Sequence, residues 1–470
     1  MRKISKISLV AAVAVAGFST ANAQPLEEAI KNVDVSGSVV YRYDNFHNAE
    51  KKSNGVVTSE RKNTDANRYK IGLNLSSKVN DYVKFNSRFI VGSQTDGGFA
   101  TLNAGKEDNN SNTAGSDGQA DVSLSNAYFG FTAIPNTVVN IGKQGLTTPY
   151  TVAVDINGNE QTGTGILALS TFGPVTAGAG YFNNSNLDKS GNINGTMGIT
   201  VSDLVAGAGK KQDSTNKVAK WNASTGSYSY VNGDITAGVN GGSDLYVATV
   251  QGDLDFVKLE AWYLGMQDTF NSYTLAATSN IDLAENAKLG LEARYVSLSL
   301  DNNLKKELAL NDNNNAMFRF AVDGKVSIVN ARLAYTKTDK DGGLTAFDQD
   351  AKNTSLGWFI TSNGIADADY IQAALGADIL DNLNFTAHYG NLKADASNKN
   401  TLNAYSFGNG GLFGTAGNDE LKQQEIYGQL TYKMSKNLST YLRYGQFKEK
   451  IDGDKTMDQN AGRLQVAYTF

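Results

Sequence analysis

The sequence predicts an all-β fold: a transmembrane antiparallel up-and-down β-barrel of about 18 strands, with long external loops and one inward constriction loop. Three observations carry that prediction. Side chains alternate apolar and polar with period two, connections alternate short and long, and the composition is polar on average although the chain opens with an export signal. Hydrophobic residues make up 40% of the 470, and 22 Tyr and 20 Phe far outnumber 3 Trp. No mature stretch offers the ~18 apolar residues of a membrane helix. A barrel whose lipid-facing and lumen-facing residues alternate averages to such a composition. The absence of Cys excludes disulfides, a thiolate nucleophile and thiolate metal centres. Two His leave little material for a metal or acid–base cluster, and a formal charge of −5 lacks the basic footprint that a nucleic-acid partner requires.

The elements follow in chain order. Met1 to Lys6 is a basic n-region, Ile7 to Phe18 an apolar h-region, and Ala21-Asn22-Ala23 a cleavage site. Residues 1–23 therefore read as a signal peptide and 24–470 as one barrel domain; the mature chain, starting at Gln24, carries a charge of −8. Val33 to Asp44 places Val35, Val39 and Tyr41 on one face and Asp34, Ser36 and Arg42 on the other. The same two-faced pattern recurs at 68–75, 289–295, 329–335 and 463–470. Eight short turns are predicted near 79–81, 134–136, 172–174, 252–253, 283–286, 323–324, 380–382 and 435–436. Nine longer polar connections alternate with them, at roughly 45–67, 93–120, 145–164, 183–243, 267–270, 301–315, 339–369, 395–420 and 450–460. Strand-like segments at 195–202 and 228–239 are assigned to one long loop, because as barrel strands they would break the alternation. The resulting even strand number leaves both termini on the periplasmic side.

The opening Gln24-Pro25-Leu26-Glu27-Glu28-Ala29-Ile30-Lys31-Asn32-Val33-Asp34-Val35-Ser36-Gly37, continuing to Tyr41-Arg42-Tyr43, resembles the start of the Campylobacter-type major outer membrane porins. Gly142-Lys143-Gln144-Gly145-Leu146, with Asp155 and Gly163-Thr164-Gly165, is a second match, and the closing Arg463 to Phe470 a third. The resemblance implies an 18-stranded general-diffusion porin in the outer membrane of a Gram-negative bacterium. It also implies a homotrimer embedded in outer-membrane lipid, passing ions and small hydrophilic solutes. No cofactor is required, but the resemblance further implies a calcium ion near the constriction, with Asp155 as its candidate ligand.

Alternation places Arg42, Arg68, Arg88, Glu260, Glu292, Arg294, Arg319, Arg332, Arg443 and Arg463 on the lumen side. As a set they are informative, since a charge facing lipid at mid-depth costs roughly 2–4 kcal/mol. The third long connection, Gly145 to Thr164, is the candidate constriction loop: it carries Asp155 and Glu160, with Thr147-Thr148-Pro149 as a stiff entry. These acids are expected to oppose Arg42, Arg68 and Arg88 across water, at ~10 Å.

Asp339-Lys340-Asp341-Gly342-Gly343 and Asp452-Gly453-Asp454 lack the full spacing of a calcium loop, and Gly207-Ala208-Gly209-Lys210-Lys211 lacks that of a phosphate loop. A barrel hydrolase would need His47 or His388 beside a nucleophile, and neither has a G-x-S-x-G context. The expectation is therefore a channel, not an enzyme. An adhesin or envelope-scaffold role of the loops is the other reading compatible with the sequence.

Overall fold

The computed structural model describes residues 33–49, 51–53, 56–59, 62–93, 98–102, 121–187, 217–222, 227–232, 242–302, 305, 311–348, 350–395 and 420–470. The expected signal peptide and its cleavage before Gln24, the strand-like segment 195–202 and residues 233–239 of the segment 228–239 lie outside them.

Alternation of side chains makes each spanning segment two-faced, and these segments pair edge to edge in sequence order. The barrel strands are β1 (Val33–Asn48), β2 (Lys62–Asn80), β3 (Val83–Gly92), β4 (Asp121–Phe131), β5 (Thr137–Gly145) and β6 (Thr162–Phe172). They continue with β7 (Val175–Ser185), β8 (Leu245–Leu254), β9 (Val257–Met266), β10 (Phe270–Ala284), β11 (Ala287–Leu300) and β12 (Asn314–Val326). The circuit is completed by β13 (Val329–Thr338), β14 (Asp369–Leu380), β15 (Leu383–Asp395), β16 (Glu420–Lys433), β17 (Leu438–Ile451) and β18 (Asp454–Thr469). Every neighbour is antiparallel, and β18 returns to β1 with Ser38 opposite Thr469 and Asn48 opposite Gln459. Closure leaves no free edge, which lipid would not tolerate. Phe470 finishes the seam: its carbonyl accepts the Gly37 N–H at 2.9 Å and its own N–H donates to the Gly37 carbonyl at 3.1 Å.

The outer face is apolar and open. Val39, Tyr41, Phe129, Leu275, Phe318, Leu333, Leu375, Ile426 and Leu442 are all exposed there, as a lipid-facing belt requires. The short turns and both ends of the barrel domain's chain share one rim, and the long connections share the other.

The eighteen barrel strands agree with the sequence count. In the long fourth connection the described segments Lys217–Asn222 and Ser227–Asn232 pair with each other and not with a barrel strand. Two turns lie a little further along than predicted, at Asp255-Phe256 and Ser327-Ile328, because Asp253 and Lys325 still pair with Lys258 and Asn330. The connection expected at 450–460 is a two-residue turn. Asp452 and Gly453 both take positive φ (50° and 84°), the geometry that continues two twisted strands directly, and residues 454–460 belong to β18. The connection at 339–369, expected outside, enters the barrel. Its apolar residues explain why, as described next.

Candidate functional site

Among the described residues, two connections fold into the lumen: loop 3, residues 146–161 between β5 and β6, and loop 7, residues 339–368 between β13 and β14. They dock on each other as one internal body. Phe347 N–H donates to the Tyr150 carbonyl (2.8 Å), Asn353 N–H to the Pro149 carbonyl (2.9 Å), and Val152 N–H to Asp348 Oδ2 (2.9 Å). On the β7–β12 side, Leu146, Tyr150, Leu344 and Phe347 pack into a core with the inward-facing Phe182, Leu264, Phe270, Leu298 and Met317. On the β14–β18 side, Trp358, Phe359, Ile360 and Ile365 pack against Tyr370, Leu392, Leu421, Tyr427 and Phe447. The interior is therefore not a uniformly wet wall. Where inward residues are apolar the loops cover them, and where they are charged they hold the loops by hydrogen bonds.

The charged contacts begin at Glu160. This carboxylate, 4% exposed, meets Lys70 of β2 at 2.5 Å, Arg88 of β3 at 3.0 Å and Ser125 Oγ of β4 at 2.8 Å. Burial pushes its pKa up, but the hydrogen bond from Arg88 and the charges of Lys70 and Arg88 outweigh that and hold it below the usual range. Lys70 also donates to the Gly158 carbonyl, and Arg42 donates to the Ile156 carbonyl at 2.9 Å. Four wall strands, β1 to β4, thus converge on one loop. The expected field across ~10 Å of water is replaced here by direct contact: Arg88 pairs with Glu160, and Arg68 pairs with Asp44 of β1 rather than with loop 3. Asp44 is fully buried and takes Arg463 on its other oxygen.

A second charged group lies across the barrel. Glu292 accepts from Arg319 at 2.6 Å and Arg294 at 3.1 Å, and Arg332 stands 3.5 Å away. Arg319 reaches on to the carbonyls of Lys352 and Thr354, Arg294 to Asn353 Oδ1, and Glu260 to Lys352 at 3.1 Å. Arg443 stacks over Trp358 and Tyr427 at 5.1 and 5.0 Å. All ten residues assigned to the lumen by alternation lie on the inward face.

Two groups that the sequence reading did not single out matter as much. Glu425 of β16 is 2% exposed, and its carboxylate gathers the N–H groups of Trp358, Phe359 and Ile360 at 2.7–3.2 Å. Loop 7 can lie this close only because residue 357 is Gly: a Cβ there would fall 1.6 Å from Glu425 Oε1. Asp348 and Asp350 form an acidic group with Asp155. Burial, then the Asp155 charge, pushes Asp348 well above the carboxylate range and Asp350 up to about 6.

Asp155 itself caps a turn. Its Oδ1 accepts the N–H groups of Asn157 and Asn159 (both 2.8 Å), and its Oδ2 accepts Asn159 Nδ2 at 2.7 Å. Asp350 Oδ1 is buried without a hydrogen-bond partner among the described residues. Coordination is another matter. Among the described residues no three carboxylate or imidazole groups converge closely enough to hold a metal, and calcium needs six to eight oxygens. No carboxylate or imidazole cage for calcium forms around Asp155 among the described residues.

Between the loop body and the inner wall of β1, β2 and β18 remains a cavity of about 560 Å³. Arg42, Arg68 and Arg463 face Asp44 there, with Phe46, Trp358 and Phe359 as apolar surface.

Residues 1–470 match the family model described as the Campylobacter major outer membrane protein. The chain belongs to that family. It is an outer-membrane porin of the Gram-negative envelope, as the family and the closed barrel together require. No curated protein matches it. Among solved structures, Pseudomonas aeruginosa OpdL is similar with a TM-score of 0.60 at 13% identity, over 93% of this chain and 99% of that one. OccK1 (OpdK) of the same organism gives 0.58 at 14%, over 93% and 98%, and OprD gives 0.56 at 16%, over 93% and 95%. At these identities the likeness is one of fold.

Proposed function

We propose that loops 3 and 7 together form the constriction of a passive, general-diffusion channel for ions and small hydrophilic solutes. The observation that carries this reading is the asymmetric filling of the barrel. The loops are packed on the β7–β12 and β14–β17 walls, while the charged cavity stays open against β1, β2 and β18. A solute passing there meets three guanidiniums and one carboxylate, fixed on rigid strands, which favours polar solutes that can exchange water for hydrogen bonds. Arg42, Arg68, Arg88, Asp155, Glu160, Glu292 and Arg294 divide into two roles on this reading. Arg68, 31% exposed in its side chain, faces the passage, whereas Glu160, Arg88, Glu292 and Arg294 mainly hold the loops. A passive role also suits His388, whose ring is stacked on Tyr427 at 4.4 Å rather than set beside a nucleophile.

Single-channel recording in planar bilayers, with the reversal potential under a salt gradient, tests the proposal. Arg68→Gln should shift selectivity toward cations, with Asp44 keeping Arg463 as its charged partner; an unmoved reversal potential would place the passage elsewhere. Conductance arriving in steps of three would support a homotrimer, and the mass of the mature chain would test cleavage before Gln24. Asp155 would offer calcium a lone pair of Oδ2, beside the one that accepts from Asn159 Nδ2. A rise in unfolding temperature on adding calcium, abolished by Asp155→Asn, would support the ion; no change at any pH would remove it.

A further inference from the structure

On the outer face of β15, β16 and β17, at the rim that carries the long loops, four lysines line a cavity of about 500 Å³ with Asn391 and Gln424. They are Lys393, Lys422, Lys448 and Lys450. Register aligns them: Lys393 lies opposite Lys422, Lys422 opposite Lys450, and Gln424 opposite Lys448. Side chains directly opposite on adjacent strands sit ~5 Å apart, where like charges repel. None of the four takes part in an ion pair among the described residues. The two carboxylates directly opposite are engaged elsewhere, and Asp395 and Glu420 stand one outward position nearer the rim. Asp369, opposite Lys393, binds Lys337 at 2.9 Å and Tyr335, and Asp458, opposite Lys448, binds Lys455 at 2.8 Å. None of the lining residues is acidic.

The height of the cluster is equally specific. Tyr389, Ile426 and Tyr444 are exposed members of the lipid-facing belt. Lys393, Lys422 and Lys448 each lie four residues beyond one of them toward the loop rim, about 13 Å along the strand. Tyr389 and Ile371 floor the cavity. An apolar floor continuous with the belt and a cationic rim at head-group level match a lipid whose acyl chains lie on the wall and whose anionic groups reach upward. Ammonium groups on flexible stems suit phosphate as point charges.

We propose that this face binds a phosphate-bearing lipid head group of the outer leaflet, with Lys422 at its centre. The lipid neutralises a row of like charges that no ion pair among the described residues engages, and so becomes part of the barrel's outer surface. The test uses the full-length purified protein in neutral detergent, with native mass spectrometry as the readout. The probes are a bisphosphorylated glucosamine lipid, its dephosphorylated form, and inorganic phosphate as competitor. The wild type should prefer the phosphorylated lipid, and Lys422→Gln should weaken it about fivefold, the contribution of one lysine near a charged surface. The quadruple change of Lys393, Lys422, Lys448 and Lys450 to Gln should abolish the preference with channel conductance unchanged. Equal binding of the two lipids by the wild type, or an undiminished preference in Lys422→Gln, would overturn the proposal. Displacement of the lipid by millimolar inorganic phosphate would overturn its lipid source and indicate a free-anion site.

Discussion

Glu160 concentrates more of loop 3's attachment than any other side chain, and the energetics of that contact are lopsided. A buried ion pair is a weak source of net stability, because desolvation offsets much of the attraction. Removing one partner is costly, since the other charge stays buried. Lys70 is 5% exposed, so Glu160→Gln leaves an ammonium with a neutral amide and the Gly158 carbonyl for company. The expected cost is about 3 kcal/mol, seen as a lower unfolding temperature together with larger, noisier single-channel conductance as loop 3 loosens. Lys70→Met combined with Glu160→Leu should recover much of the temperature. If Glu160→Gln left both readouts at wild-type values, the loop would be held by its apolar contacts alone. Asp155→Asn belongs to a milder class, because Asp155 serves its own turn: a loss of about 1 kcal/mol, the usual value of a capping contact, is expected.

At the scale of the element, loop 7 is the larger device. It is fastened at one end by Asp348 and Asn353 to loop 3 and at the other by the three N–H groups on Glu425. Glu425→Ala would strand those donors in an apolar surrounding at about 1–3 kcal/mol each. Limited proteolysis within 339–368 should therefore accelerate in that variant while the barrel remains intact; an unchanged cleavage rate would show that the aromatic packing suffices. The acidic group at the other end makes the same loop pH-sensitive. Asp350 titrates at about 6 when folded against 3.8 in its ordinary state, raised by burial and by Asp155. A raised carboxyl pKa means that the folded state holds the proton more tightly. Its stability contribution is complete below pH ~4 and is lost as pH rises through ~6. Loop 7 should thus be better protected from protease at pH 5 than at pH 8, and Asp350→Asn should flatten that difference. The opposite slope would mean that the group is compensated by a bound cation.

The whole molecule depends on closure. Barrel strands pair only with neighbours, so the single seam between β1 and β18 decides whether the sheet has edges. Phe470 completes that seam through two backbone hydrogen bonds to Gly37, and its ring stacks with Tyr468 at 5.8 Å. Deleting Phe470 removes both bonds at the periplasmic rim. The truncated chain should give a smaller heat-modifiable, membrane-inserted fraction on gels, and a wild-type fraction would show that the seam closes without it.

Much of this was legible before any fold was known. A wall with lipid on one side and water or packed loop on the other imposes period two on every strand, a local rule. Strand number and the inward phase of residues such as Arg42, Glu292 and Arg443 follow from that rule without tertiary information. The Asp452-Gly453 turn was legible too, as the commonest hairpin signal, but was hidden by the polar residues around it. What local rules cannot supply is where a loop goes. Trp358-Phe359-Ile360 lie in a connection read as polar and external, and only the fold brings Glu425 to their N–H groups from 65 or more residues away. Likewise Lys70 and Arg88 read as two lumen charges, and only the three-dimensional convergence of β2, β3 and β4 places both on Glu160. The sequence determined the barrel because its alternation answers to solvent on two sides. The tertiary structure decided the channel, because loop packing depends on which distant walls leave apolar surface and unpaired donors to be covered.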